Sequence, residues 1–311
     1  MKSPGKLEKV GPLRPLYEVG NMKEVYEFRV QEKYASRLFE PSAGEKLGWT
    51  KQFGDKFVTV RKIELSADDP KFRRVGELNA LLQKNRDDFF FAGWNINRCY
   101  TASDIAQARL FLLCRIATFE PAGEECGTQY DESAACSSCK SKAKQVSPLF
   151  LDWKRIPKSK DIARTIAGEV VVSKRMVELF ERHSITGAKF GPVCHRPTTS
   201  AESKEWFQLL VKPGYAEVAA PTKMGINPFD EDVTGQYRCS HGDLIGLARL
   251  SEVSISRSSY NGSDIIASRQ FMGTRRGLLR PERFLLVSPK LRQLIKKEKL
   301  TGCEFEVAHF V

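Results

Sequence analysis

Cys126, Cys136 and Cys139 stand within one short polar stretch of this 311-residue chain. Cys136-Ser-Ser-Cys139 puts two thiolates on one tight turn, the usual half of a tetrahedral zinc site. Cys126 precedes the pair across a polar loop and is the expected third ligand. The fourth has to come from elsewhere. Cys239, in Tyr-Arg-Cys-Ser-His-Gly, is the first choice and His241 the alternative. Four protein ligands leave no open position for water, so the zinc would be structural. The surrounding segment, Gly123–Val146, is almost devoid of apolar residues. It cannot fold on hydrophobic burial alone, and a metal would supply the missing energy. The competing reading of Cys-x-x-Cys is a redox pair. That would open a helix after a strand, and Ala134–Lys140 lacks this pattern.

Other reactive types have duller readings. Cys194-His195 are adjacent, and neighbours in sequence do not face each other as nucleophile and base. Cys99, Cys114 and Cys303 lie in apolar or strand-like contexts and read as small buried hydrophobes. Asp230-Glu231-Asp232 reads as a solvated acidic loop. No phosphate-binding loop, dinucleotide glycine pattern, His-Glu-x-x-His or Gly-x-Ser-x-Gly motif is present. No catalytic residue is therefore assigned, and a binding role is favoured over an enzyme.

Two stretches of the chain are alike. Residues 172–193 and 287–308 align without a gap. Val172/Val287, Ser173/Ser288, Leu179/Leu294, Thr186/Thr301, Gly187/Gly302 and Phe190/Phe305 are identical, and Met176/Leu291, Phe180/Ile295 and Ile185/Leu300 are similar. An internal repeat shows how a chain is assembled. In each copy an apolar run suits a buried strand. Ser173 or Ser288 then sits where a helix wants its N-cap, and Pro289 fits the first helical position. Met176, Leu179, Phe180 and Leu291, Leu294, Ile295 form one apolar helical stripe each. Gly187 or Gly302 ends the helix with a positive φ. The expected unit is strand–helix–turn–strand, with both leucines buried.

The composition adds bounds. Hydrophobic residues make up 41 % of the chain, enough for real cores. No run approaches the ~18 apolar residues of a membrane helix, and the start has no secretory h-region. The chain is expected to be cytoplasmic, with no membrane partner and with reduced or metal-bound cysteines. Net charge is +12, and the basic excess falls on residues 151–200 and 251–311, which hold the two copies. Such a surface attracts polyanions or an acidic protein. Arg257, Arg269, Arg275 and Arg276, in polar loops with few aromatics, are the candidate partner-binding residues. A protein partner is favoured over nucleic acid, because single-strand binders stack bases on aromatics.

The expected class is α+β, with two mixed regions, a small structural zinc element and the repeated strand–helix–strand unit. Residues 1–20 read as a flexible leader, 21–120 as an N-terminal α+β domain and 121–311 as a C-terminal zinc-containing domain. Asp88–Ile96 reads as a central strand or core wall, Ser103 as a helix cap, Pro197–Glu205 as a loop and 212–236 as a long connection of functional or flexible type.

The repeated unit resembles the C-terminal signature of the double-CXXCG-motif immunity proteins of bacterial toxin–immunity pairs. There a strand ending in Val-Ser runs into a short helix and then a Thr/Ser-Gly-x-x-Phe strand. The upstream cysteine segment is similar too. This chain departs from the pattern: it has one Cys-x-x-Cys, Lys140 stands at the motif's glycine, Cys126-Gly127 keeps only half of it, and the signature is doubled. The resemblance implies a non-enzymatic protein that neutralises a cognate toxin, one of acidic surface given the charge here. The alternative is a zinc-containing nucleic-acid-binding protein of a bacterial defence system.

Overall fold

A computed structural model describes residues 22–38, 49–53, 56–84, 88–195 and 201–311. The expected leader at 1–20 lies outside them.

The chain begins as an antiparallel sheet. Its strands are β1 (Lys23–Gln31), β2 (Trp49–Phe53), β3 (Lys56–Leu65) and β4 (Phe91–Cys99), ordered β2-β3-β1-β4. A short helix α1 (Glu32–Ala35) follows β1, and α2 (Pro70–Gln83) precedes β4. Asp69 caps α2 by accepting from the Lys71 amide at 2.8 Å, with Pro70 at its start. Val75, Leu78 and Leu82 of α2 bury against Phe28, Val30, Ile63 and Phe90. The strand expected as a central strand or core wall, β4, is an edge strand of this sheet. Its aromatic run is apolar because α2 covers it.

After helix α3 (Ala102–Gln107), capped by Thr101 rather than Ser103, come β5 (Leu110–Cys114), β6 (Ala117–Phe119) and the small hairpin β7 (Tyr130–Asp131) and β8 (Lys144–Gln145). Then follow β9 (Leu149–Leu151), β10 (Ile162–Thr165), β11 (Val170–Ser173), α4 (Lys174–Arg182) and β12 (Ala188–His195). The next strand, β13, spans Ala201–Val211, so residues 201–205 are strand and not loop. Strands β14 (Met224–Asn227), β15 (Asp230–Glu231), β16 (Ala248–Arg249), β17 (Val253–Ile255), β18 (Ile265–Met272) and β19 (Glu282–Val287) lead to α5 (Pro289–Lys297) and β20 (Glu304–Phe310). The two large sheets are β6-β10-β11-β13-β12-β9 and β17-β20-β5-β19-β18. They share one core with α4 and α5. β5 belongs to this second sheet. An apolar run such as Leu110–Leu113 fits either sheet, and only its partners decide.

Both expected strand–helix–strand stretches take that form. Ser173 caps α4 through the Met176 amide at 3.3 Å, and Ser288 caps α5 through the Leu291 amide at 3.2 Å. Each serine also donates to an aspartate, Ser173 to Asp161 at 2.9 Å and Ser288 to Asp264 at 2.7 Å. The aspartates then reach across. Asp161 accepts from the Thr301 amide at 3.0 Å, and Asp264 from the Thr186 amide at 3.1 Å. So the turn after one helix is tied to the strand before the other, in both directions. Leu179 is buried as expected, whereas Leu294 is only half-buried and packs at the margin of the core.

Residues 212–236 also have a structural task. The turn between β14 and β15 sets Phe229 against Phe28, Phe72 and Phe91 of the first sheet. Gly76 in α2 makes room for it, since a Cβ there would lie 2.6 Å from the ring. Phe229 is half-buried, so Phe229→Ala should cost about 2 kcal/mol, below the ~3–5 kcal/mol of fully buried phenylalanines. Gly76→Ala should destabilise the parent chain by evicting the ring. In the Phe229→Ala background it should instead stabilise by up to ~1 kcal/mol, the helix preference of alanine over glycine. Urea midpoints of the four proteins measure this coupling; additive effects would mean that the ring does not seat on Gly76.

Candidate metal centre

The segment Gly123–Val146 folds around polar contacts. Cys126 closes a single 3₁₀ turn, and the β7–β8 hairpin frames a loop that ends in a knuckle. In that knuckle the Cys136 amide donates to Ser141 O at 2.9 Å and the Lys140 amide to Cys136 O at 2.9 Å. Lys140 has φ 61°, a conformation that favours glycine. This explains physically why glycine suits that place.

A second knuckle forms around Cys239. Its amide donates to Asp243 O at 3.0 Å, and the Gly242 amide donates to Cys239 O at 2.9 Å, with Gly242 at φ 80°. The two turns face each other. The sulfurs of Cys136, Cys139 and Cys239 all lie within 4.8 Å of one another, and all three residues are buried. Tetrahedral ligation by thiolates at about 2.3 Å from a metal needs sulfurs ~3.8 Å apart. These three cysteines could therefore hold a metal ion.

The surroundings favour thiolate at Cys136 and oppose it at Cys139. The Cys136 thiol is pulled down to about 6, first by the Cys139 amide and then, against burial, by the Ser138 amide, the Cys139 side chain and the His241 ring. Burial pushes Cys139 up to about 11. His241 thus stands beside Cys136 on an exposed tip, with its Nδ1 near Ser240 Oγ at 3.4 Å. Asp243 stands on the other side, its Oδ2 3.8 Å from Cys139 Sγ and 3.7 Å from Cys239 Sγ. That carboxylate is already engaged. It accepts from Ser141 Oγ at 2.6 Å and, through Oδ1, from the Phe271 amide at 2.8 Å. Asp243 fastens the two knuckles and the end of β18 together; sequence reading missed it. Its signal was the matching pattern of a positive-φ residue and then a polar one, Lys140-Ser141 and Gly242-Asp243.

The expected ligands are placed as follows. Cys136, Cys139 and Cys239 come together. Cys126 is buried but stands outside that group. Its amide donates to Gly123 O at 2.9 Å and closes the 3₁₀ turn. His241 is adjacent to Cys136 but, like Cys126, stands outside that group.

One of the four candidate partner-binding arginines, Arg275, turns out to be structural. Arg275 donates its amide to Cys139 O at 3.0 Å, and its guanidinium pairs with Glu124 and Glu132. Arg280 joins the same pair of carboxylates and lies 3.8 Å from the Tyr130 ring centre. Burial raises Glu124, but Arg280 and Arg275 outweigh it and hold the carboxyl below its ordinary range. Arg275 is therefore a brace of the cysteine loop. Arg257 lies over the Phe310 ring at 5.4 Å. Arg269 faces Glu217 at 3.5 Å and is mostly exposed, and Arg276 is exposed.

The other reactive types have structural surroundings. His195 packs on Trp153. Asp230 and Glu231 form β15, where Lys223 meets Glu231 at 3.1 Å. Cys114 and Cys303 are half-buried, and burial pushes each thiol up to about 12. Cys99 is exposed, not buried as expected, because β4 is an edge. No helix among the described residues is long and apolar enough to cross a membrane.

Set against known proteins, the chain matches no family model and no curated protein.

Proposed function

We propose that this protein is a non-enzymatic immunity-type binding protein of the bacterial cytoplasm, held in shape by structural zinc, that neutralises a cognate toxin by occupying it. The paired cysteine knuckles carry the reading. Three soft thiolates in a buried polar setting select zinc over a hard cation, and a histidine can complete a closed Cys₃His set. We assign His241 as the fourth ligand because the Asp243 carboxylate already holds Ser141 and Phe271. The stretches 172–193 and 287–308 are two copies of the immunity signature. Their shared Val-Ser entry, serine cap and Thr-Gly-x-x-Phe exit support this, as does the same exchange of aspartate contacts in each.

The partner surface moves from the cysteine loop to the helices. Lys174, Arg175, Lys290, Lys296, Lys297 and Lys299 are exposed on or just after α4 and α5. This face would steer an acidic toxin by long-range attraction. Arg275→Glu is the wrong probe, since it would break the brace on Glu124 and Glu132.

The test is co-purification from the native host, with the parent and with a Lys296→Glu/Lys297→Glu/Lys299→Glu variant. One acidic protein should be captured by the parent, lose affinity for the variant, and be toxic unless the parent is co-expressed. Submicromolar binding of DNA or RNA with a steep salt slope, and no such protein, would instead establish the nucleic-acid reading.

A further inference from the structure

The similarity of the two halves runs well beyond 172–193 and 287–308, and the strand pairing shows something the sequence match does not. From β5 onward the chain passes through β5, β6, the cysteine loop, β9, a 3₁₀ turn at Trp153–Arg155, β10, β11, α4 and β12. From β13 onward it passes through β13, a bridge at Ala216, the Cys239 loop, β17, a 3₁₀ turn at Arg257–Ser259, β18, β19, α5 and β20. Registers agree. β9 runs parallel to β12 with Leu149 beside Val193, and β17 parallel to β20 with Val253 beside Ala308. Even the loop contact recurs, Trp153 on His195 and Arg257 on Phe310.

The leading strands break this order in a reciprocal way. β13 opens the second half, yet it lies between β11 and β12 of the first, with Phe207 opposite Val172. β5 opens the first half, yet it lies between β19 and β20 of the second, with Phe111 opposite Val287. The shared core reflects the exchange. A void of only 10 Å³ is enclosed by ten side chains that fall into five equivalent pairs. These are Leu113/Leu209, Ile162/Ile265, Val172/Val287, Met176/Leu291 and Phe180/Ile295.

We infer that the chain is a tandem duplicate, residues 110–195 and 201–311, whose two units complete each other's sheets by exchanging their first strands. It is a strand-swapped dimer made within one polypeptide, the arrangement that two separate copies of one unit would adopt by swapping an identical element. Each unit lacks the middle strand of its own sheet, so neither can bury its apolar faces alone. The metal ligands follow the same plan, since Cys136 and Cys139 lie in the first unit's loop and Cys239 in the equivalent loop of the second.

Cross-strand thiols test the exchange in the whole chain. Directly opposed antiparallel residues have Cα atoms about 4.5–5.5 Å apart, within disulfide reach. Cys114 lies opposite Glu304, and Lys189 opposite Leu210. A protease site inserted at 196–200 separates the units after oxidation. In Glu304→Cys, and independently in Lys189→Cys/Leu210→Cys, the two fragments should stay joined on a denaturing gel until reductant is added. In Leu210→Cys/Glu304→Cys, where positions 210 and 304 would pair if each leading strand stayed in its own unit, peptide mapping should find position 304 joined to Cys114 and no link between positions 210 and 304. A link between positions 210 and 304, with free fragments in the other two variants, would overturn the exchange.

Discussion

Removing the metal should unfold the cysteine segment and lower the melting temperature of the whole chain by roughly 10 °C or more. The expectation follows from what else holds that segment. Among the described residues, the three clustered cysteines have Ile245 as their sole partly buried apolar neighbour. The remaining contacts are the ion pairs of Arg275 and Arg280 with Glu124 and Glu132, where the carboxylates are about one-third exposed. Partly exposed pairs contribute ~1 kcal/mol or less each. Structural zinc contributes on the order of 10 kcal/mol where it alone organises a fold. Even half of that, at about 2–4 °C per kcal/mol for a domain of this size, gives the stated fall. The loss also propagates, because Asp243 ties the second knuckle to β18 and the Arg275 amide ties Cys139 to the strand connection after it. Purified protein should carry one zinc per chain. Chelated protein, Cys136→Ser, Cys139→Ser and Cys239→Ser should melt alike. Cys126→Ser should keep its zinc, and His241→Ala should weaken it more than Asp243→Asn. A chelated protein that melts where the parent does would remove the metal from the account; loss of zinc in Cys126→Ser would return that residue to the ligand set.

Much of this was legible where chemistry is local. Ser173 and Ser288 had to cap helices because their hydroxyls satisfy amides within the same turn. Cys136 and Cys139 announced a knuckle because both sulfurs lie on one turn. The illegible parts depend on partners distant in sequence. Leu110–Leu113 reads as a buried strand in any sheet, and nothing within it says that β19 and β20 will flank it. Cys126 is close to Cys136 in sequence, but a 3₁₀ turn and a hairpin strand separate them, whereas Cys239 arrives from a loop far downstream. Arg275 looked like a surface cation because the carboxylates that claim it, Glu124 and Glu132, lie far upstream. Phe229 sat in a Pro/Gly/Asp-rich stretch that reads as a loop, and its cavity is defined by Gly76 on another element.

The second large effect should come from the two glycines that end the helical turns. Gly187 has φ 97° and Gly302 φ 106°, where a side chain is strained. The greater obstacle is space. A Cβ on Gly187 would lie 1.9 Å from the carbonyl oxygen of Ile265, and one on Gly302 would lie 2.0 Å from that of Ile162. These are backbone atoms of β18 and β10, not flexible side-chain ends, so the strand must move. Those strands cannot move freely. The Ile265 amide donates to Thr186 O at 3.1 Å and the Ile162 amide to Thr301 O at 3.1 Å, while Asp264 and Asp161 grip the same turns. Gly187→Ala and Gly302→Ala should therefore each cost about 3–5 kcal/mol, the range of severe single-site effects with a named steric cause. Gly262→Ala is the control. It has φ 80° but nothing within 4 Å of its Cβ, so it should cost only the conformational strain, ~1 kcal/mol. Denaturant midpoints at constant slope provide the comparison. Because the two contacts occupy equivalent places on opposite sides of one core, the two alanine variants should lose similar stability. If either costs no more than Gly262→Ala, its turn does not abut the opposing strand, and the reciprocal clamp between the halves is absent on that side.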